Sequence, residues 1–260
     1  ERILQADYII TTTAVLCDAV KALGASNVEH IPFGPCPKTF FPTNERKQEF
    51  KALCVCKCLQ NSNLGTFIKG IALSDTKGTL HTNSDDRSDY DLSLLVERHK
   101  VADQLELTKG FNSIREGLSE IELNALYNTH HAIVDCSLQS GTALSLLEGM
   151  STGCVPIGVE FGAVGEVLSQ MPDWCRFSVG YETFIGPGQE EHAIAKTKEL
   201  ADALSKIKYM SAVAPEDFAR ASSKAREVAG FFFFFFLLDR LNDILANVLQ
   251  GEHAIVVDSY

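Results

Sequence analysis

No two of the eight cysteines stand in a Cys-x-x-Cys pair. That absence removes the usual zinc-ribbon and redox-dithiol motifs, and no disulfide framework is expected. Positive charge is scarce as well: 23 Lys and Arg stand against 34 Asp and Glu, a net charge of −11. An acidic chain is a poor partner for nucleic acid or an anionic membrane. Any phosphate site must then be local, built from backbone N–H groups and one or two basic side chains. No apolar stretch is long enough to span a bilayer, and none reads as a signal peptide. The expected location is therefore cytoplasmic or another reducing intracellular compartment, with no transmembrane segment. The longest apolar run includes six consecutive Phe, 231 to 236. They would cover every side of a helix and cannot all face one core.

Cys54, Cys56 and Cys58 alternate in "LCVCKCL". On a strand they share one face. They read as reduced, buried small apolar residues rather than a metal site.

Elsewhere the chain alternates between strand and helix patterns. "ADYIITTTAVLCDAVKALGA" reads as strand, turn and amphipathic helix, with Gly24 as a stop. The segment "PFGPCPKTFFPTNERKQ" holds four Pro and marks a boundary. After it, "FKALCVCKCL", "KGTLHTN", "QLELTKGF", "HAIVDC" and "CVPIGVE" read as strands. "LGTFIKGIALS", "YDLSLLVERHKV", "LSEIELNALYNTH", "TALSLLEGMSTG", "HAIAKTKELADALSKIK", "PEDFARASSKAREVAG" and "LLDRLNDILANVL" read as helices. Ser119, with Glu122 three residues on, predicts a capping box. The alternation predicts an α/β fold, a parallel sheet of five or six strands with helices on both faces, with "ALCVC", "IVDC" and "VPIGV" central.

The stretch "CSLQSGTALSLLEGMSTGCVPIG", Cys136 to Gly158, carries one charge, Glu148. In an open α/β sheet, ligands bind beyond the carboxyl ends of the strands. A helix opening after Ser137–Thr142 would offer free N–H groups and a positive dipole end to a diphosphate. Gly141 and Ala143 would let a ligand approach the backbone. Glu148 falls six residues after Thr142, about 9 Å further along a helix. A carboxylate there suits the hydroxyls of a ribose.

The order of these motifs resembles the large family of retaining, nucleotide-sugar-dependent glycosyltransferases of the GT-B fold, the glycosyl transferases group 1. The resemblance covers most of residues 5 to 245. It implies one Rossmann-like half of a GT-B enzyme, the carboxyl-terminal, donor-binding domain. Residues 43–230 would form that domain. Residues 1–42 would be the last strand-helix unit of the acceptor domain with its linker, and 231–260 the closing helix and tail. The implied donor-binding residues are Lys57, Ser140, Gly141, Thr142, Ala143, Leu144, Glu148 and Glu166. No catalytic residue is assigned. Glu148 takes the place of the second Glu in the family's Glu-x7-Glu pattern, while Ser140 stands at the first. Asn61 and Ser62 occupy the positions of a basic pair that normally grips the donor diphosphate, with Lys57 where an Arg is usual. Glu166 is expected to bind a sugar hydroxyl or to cap the following helix. His130 and His131 read as a helix C-terminal pair, Lys69 as a solvated lysine, and "SDDRSDYD" as a solvated turn.

The resemblance implies sugar transfer with retention from a nucleotide-diphosphate sugar, without metal or other cofactor. The departures favour a second reading, a non-catalytic relative with a binding or structural role. For that reading, a protein partner would cover the face that the acceptor domain occupies in the family.

Overall fold

The computed structural model describes residues 6, 8–44, 49–83, 88–108, 117–138, 140–186, 191–232, 240–242, 244, 246 and the backbone of 255–257. Six parallel strands form the main sheet. They are β3 (Lys51–Val55), β4 (Lys77–His81), β5 (Leu105–Leu107), β6 (Ala132–Asp135), β7 (Val155–Val159) and β8 (Phe177–Val179). Their order is β5-β4-β3-β6-β7-β8. This is the doubly wound order, in which the winding reverses between β3 and β6. The strands expected to be central, β3, β6 and β7, lie inside the sheet. β3 and β6 are flanked by other strands on both sides, and Ala52, Leu53, Ala132 and Ile133 are fully buried.

The helices are α1 (Ala14–Ala22), α2 (Leu64–Ser74), α3 (Leu92–His99), α4 (Glu120–Asn128), α5 (Leu144–Ser151), α6 (Gly162–Ser169), α7 (Thr197–Val213) and α8 (Pro215–Gly230). α2 packs on α3 and α7, while α5 packs on α4, α8 and β6. The local chemistry sets the helix ends. Ser119 Oγ accepts from Glu122 N at 3.3 Å and Glu122 Oε2 accepts from Ser119 N at 2.8 Å, so α4 opens on the expected capping box. Asp91 caps α3 through Leu94 N at 3.0 Å, and Pro215 opens α8. Among the described residues, no helix is long and apolar enough to cross a membrane.

One expected helix is partly a strand. The helical reading of "HAIAKTKELADALSKIK" began at His192, but Glu191–Ala195 form β10, paired antiparallel with β9 (Tyr181–Ile185). α7 starts only at Thr197. An Ala-rich stretch has a helical preference, but cross-strand pairing overrides it here. Phe184 stacks on His192 with ring centroids 5.0 Å apart. Neither β8 nor β9 was read from the sequence.

A second sheet joins β1 (Tyr8–Thr11), β2 (Val28–His30) and β11 (Ile255–Val257), all parallel, in the order β11-β1-β2. Glu29 ties this sheet to the closing helix, since its carboxylate accepts from Arg240 and from the Tyr8 hydroxyl. Arg240 first of all holds the Glu29 carboxyl below its ordinary range, while burial and Glu29 push Tyr8 up to about 12. The Pro-rich link is anchored on α4. Asn124 Oδ1 accepts from Phe41 N at 3.1 Å, and Asn128 Oδ1 accepts from Thr43 N at 2.6 Å. Of the six-Phe run, Phe231 is exposed and Phe232 packs on the core; 233–236 lie outside the described residues.

Candidate functional site

The winding reverses between β3 and β6, and in an open α/β sheet that reversal is where a ligand crevice forms at the carboxyl edge. Their ladder holds only Ala52–Ala132 and Leu53–Ile133, ending two residues before either strand does. The residues that follow, 56–63 on one side and 136–138 with 140–143 on the other, therefore flank the crevice. They are joined to each other where Leu138 N donates to Asn61 O at 2.8 Å.

α5 begins at Leu144, not at Thr142. Ala143 precedes it with φ 50° and ψ 33°, a left-handed cap, and is buried. The Ala143 amide is occupied, donating to Ser140 Oγ at 3.0 Å. The amides without an intrahelical carbonyl are those of the first turn, from Leu144 onward. The unpaired amides therefore begin one to two residues beyond the Thr142 expected from the sequence. Ser140, Gly141, Thr142, Ala143 and Leu144 do form one continuous turn at the crevice. Its outer side touches the N-terminal unit, where Thr12 Oγ1 donates to Gly141 O at 3.3 Å.

Glu148 lies one turn along α5. Its Oε2 accepts from the Tyr127 hydroxyl at 2.7 Å. Burial pushes its carboxyl up to about 7, against the Tyr127 bond, which lowers it; the charge of Glu120 adds to the rise. Tyr127 is fully buried, and burial together with Glu148 pushes its phenol well up. Sequence reading missed this partner. The only signal was the "Leu-Tyr" near the end of α4, and it takes the packing of α4 on α5 to bring the two groups together. Oε1 of Glu148 makes no hydrogen bond among the described residues.

Lys57 follows β3, exposed, with no ion pair among the described residues. Asn61 lies in a 3-10 turn, Gln60–Ser62, and its carbonyl serves the bond to Leu138. Lys69 is exposed on α2. Asp135, at the end of β6, is buried; burial raises its carboxyl, and Oδ1 accepts from Ser137 N at 2.9 Å.

Glu166 caps a helix, but one far upstream rather than one that follows it. Its carboxylate accepts from Ala14 N at 3.0 Å and Val15 N at 2.8 Å, the first amides of α1. An acid at a helix start satisfies both free donors and the dipole. The two histidines are not at the surface. His130 Nδ1 bonds with Leu126 O at 2.8 Å and Nε2 with Thr79 Oγ1 at 2.8 Å, while His131 Nδ1 accepts from Lys51 N at 3.3 Å. The His130 ring joins α4 to β4, and the His131 ring, just before β6, joins it to β3. Of "SDDRSDYD", residues 84–87 lie outside the described set; Asp89 Oδ2 accepts from Gln60 N at 2.7 Å.

The three alternating cysteines do not share a strand, because β3 ends at Val55. Cys54 is buried in the sheet, Cys56 is half-buried just past it, and Cys58 turns towards Tyr90 O at 3.7 Å. All eight cysteines are free thiols. Among the described residues, no group of three or more His, Cys, Asp or Glu has the geometry to hold a metal ion. A groove of about 470 Å³ lies at the amino edge, lined by Glu49, Lys51, Lys77, Asp103, Gln104 and Glu106. Its lysines are paired, Lys51 with Glu106 and Lys77 with Glu49, so it offers no free cation for an anion.

No family model matches the chain, and no curated protein matches it in sequence. Solved structures do match. Sucrose-phosphate synthase from Thermosynechococcus elongatus aligns over 95% of this chain at TM-score 0.74 and 18% identity. The chain spans 59% of the synthase's length. The pneumococcal O-GlcNAc transferase GtfA, solved with UDP and GlcNAc, aligns over 94% of this chain and 46% of its own at TM-score 0.64 and 15% identity. The C-terminal domain of a glycosyl transferase group 1 family protein (LpcC) from Francisella tularensis is covered over 97% of its length, with 76% of this chain, at TM-score 0.55 and 16% identity. The chain has the fold of the carboxyl-terminal half of a GT-B, group 1 glycosyltransferase.

Proposed function

We propose that the chain is the donor-binding half of a retaining glycosyltransferase and takes a nucleotide-diphosphate sugar at the β3–β6 crevice. One observation carries this reading: the first turn of α5, Glu148 and Lys57 all stand around the point where the sheet reverses. The free amides of α5 receive the diphosphate, with Lys57 adding charge from the facing loop. Glu148 receives the ribose, and the Tyr127 hydroxyl holds its Oε2 so that Oε1 faces the ligand. As the sugar leaves, negative charge grows on the diphosphate, where the helix end stabilises it most. The solved neighbours supply support of the same kind, since GtfA was crystallised with UDP.

A second reading keeps the pocket and drops the reaction. Ser140 stands at the position of the family's first Glu, and its Oγ is used inside the turn to hold Ala143 N. A residue so placed supplies no charge to a sugar. In this reading the chain binds through its surface within a larger assembly.

Calorimetry with uridine and guanosine diphosphates separates the two. The proteins are the native chain, Glu148→Gln, and the double variant Asn61→Arg with Ser62→Lys. Binding by the native chain that falls by ~1–3 kcal/mol in Glu148→Gln supports a working donor site. Binding only by the double variant supports a surviving pocket without activity. No binding by any of the three overturns the donor site.

A further inference from the structure

We propose that Cys54 and Cys56 form a reversible modification site, closing a disulfide that deforms the 56–63 loop at the crevice. The inference rests on the reading of that crevice as a donor site only for its consequence, not for its chemistry.

The geometry starts from the sulfurs. Cys54 Sγ and Cys56 Sγ lie 3.6 Å apart, one residue between them. Two residues along a regular strand span ~6.6 Å between Cα atoms, near the upper end of what a disulfide tolerates, ~6.8 Å. Closure to the ~2.05 Å bond length therefore needs the backbone to shorten at one end. On the β6 side it is unpaired, because that ladder ends at Leu53, so the movement is resisted by the single bond that Cys56 N makes to His81 O at 3.1 Å on the β4 side. Cys54 is held rigidly in the sheet at 2% exposure, so the movement falls on Cys56 and the loop after it.

Access and reactivity divide between the two sulfurs. Cys56 is half-exposed and meets the oxidant. Cys54 is shielded and stays a thiol, pushed well up by its bond to Cys56 and then by burial. The oxidant we infer is a hydroperoxide. The Cys56 thiolate attacks the peroxide oxygen and becomes a sulfenic acid, releasing an alcohol or water. The Cys54 sulfur then attacks the Cys56 sulfur, and the hydroxyl leaves as water with the thiol proton. In sum, two thiols and one hydroperoxide give one disulfide, one alcohol and one water. The strain of a two-residue span makes the bond easy to reduce, which suits a switch rather than a staple.

The loop transmits the change. The Cys56 amide donates to His81 O at 3.1 Å, the Cys58 amide to Asn83 Oδ1 at 3.0 Å, and Asn61 O receives Leu138 N at 2.8 Å. Pulling Cys56 towards Cys54 strains the first bond and drags on the last. The last one anchors the turn that leads to α5.

The test uses the full chain, reduced, then treated with hydrogen peroxide and digested with trypsin. Cleavage after Lys51 and Lys57 releases a single peptide, Ala52–Lys57, holding both cysteines and no others. We expect this peptide to become lighter by two hydrogens, and to recover on reduction. Hydrogen exchange at the Cys58 and Leu138 amides should rise about fivefold in the oxidised chain, the loss of one bond of ~1 kcal/mol. Cys54→Ser should abolish both changes, and Cys136→Ser should leave both intact. A peptide that stays a dithiol overturns the proposal, as does a bond from Cys56 to Cys136. A disulfide without faster exchange at Leu138 overturns the coupling to the crevice. Loss of UDP binding on oxidation is the consequence expected if the donor reading holds. A reduced native chain that binds no UDP counts against that reading alone, because the peptide mass and the exchange rates do not depend on it.

Discussion

Glu148→Gln should stabilise the folded chain at alkaline pH while weakening its site. The side chain keeps its shape, and the Tyr127 hydroxyl can donate to the amide oxygen as it does to Oε2. What goes is the charge. Burial raises the Glu148 carboxyl from 4.5 to about 7. A carboxyl raised in this way binds its proton more tightly in the folded chain than in the unfolded one. Its contribution to stability is full below pH 4.5 and is lost as pH rises through about 7. At ~1.4 kcal/mol per pH unit, the loss amounts to roughly 3 kcal/mol by pH 8. The Gln variant does not titrate there. Urea unfolding of both proteins from pH 5 to 8.5 should show near-equal stability at the acid end. At the alkaline end the variant should lead by ~2–3 kcal/mol, or about 5–10 °C in Tm for a chain of this size. A gap that stays constant across the range would refute the burial of an ionisable acid as its cause. Stability gained where binding is lost is the trade expected of a functional carboxylate.

The remaining predictions concern the shell around the site. Tyr127→Phe removes the donor that favours the charged form of Glu148, so its carboxyl should rise further and the loss of stability should extend to higher pH in the same urea series. Glu166→Ala strips the acceptor from Ala14 N and Val15 N and should cost about 0.5–2 kcal/mol, read as faster hydrogen exchange in α1 with α5 unchanged. Gly158→Ala places a Cβ 2.5 Å from Val164 Cγ1 and 3.0 Å from Asp135 O, so it should destabilise by ~1–3 kcal/mol in thermal unfolding.

Features written in local residue order were legible in the sequence. Ser119 and Glu122 announce the start of α4 because a capping box needs only three residues of spacing. The apolar run around Val134 and Ile157 announces buried parallel strands for the same kind of reason. Features that depend on partners far along the chain were not. β10 reads as helix until β9 is beside it. Glu166 finds its partners about 150 residues upstream, so no pattern near Gly162–Ser169 points to α1. The start of α5 was placed too early because Ala143 adopts a left-handed cap, a conformation that its residue type does not advertise. The Tyr127–Glu148 pair sits between these cases. Each residue stood out by itself, and only the packing of α4 on α5 joined them.

The departures from the family pattern share one physical character. Ser140, Asn61 and Ser62 each put a neutral polar group where the resemblance expects a charge. Two of them are built into the backbone of the crevice. Ser140 Oγ holds the Ala143 amide, and the Asn61 carbonyl holds the Leu138 amide. These bonds tie the two flanking loops to each other and brace the turn before α5. An active site organised by charge would instead carry like charges close together, and their repulsion would have to be offset by the diphosphate. Here the two loops are held by their own hydrogen bonds, Leu138 N to Asn61 O between them and Ala143 N to Ser140 Oγ within the second. Under the proposed donor reading, affinity should depend strongly on the missing charges: two lost charge-assisted contacts at ~1.5–3 kcal/mol each would weaken binding by roughly 10² to 10⁴-fold. Shape and affinity have thus been separated in this chain. Under the donor reading proposed above, local backbone bonds hold the shape, and affinity would rest on the helix end of α5, Lys57 and Glu148.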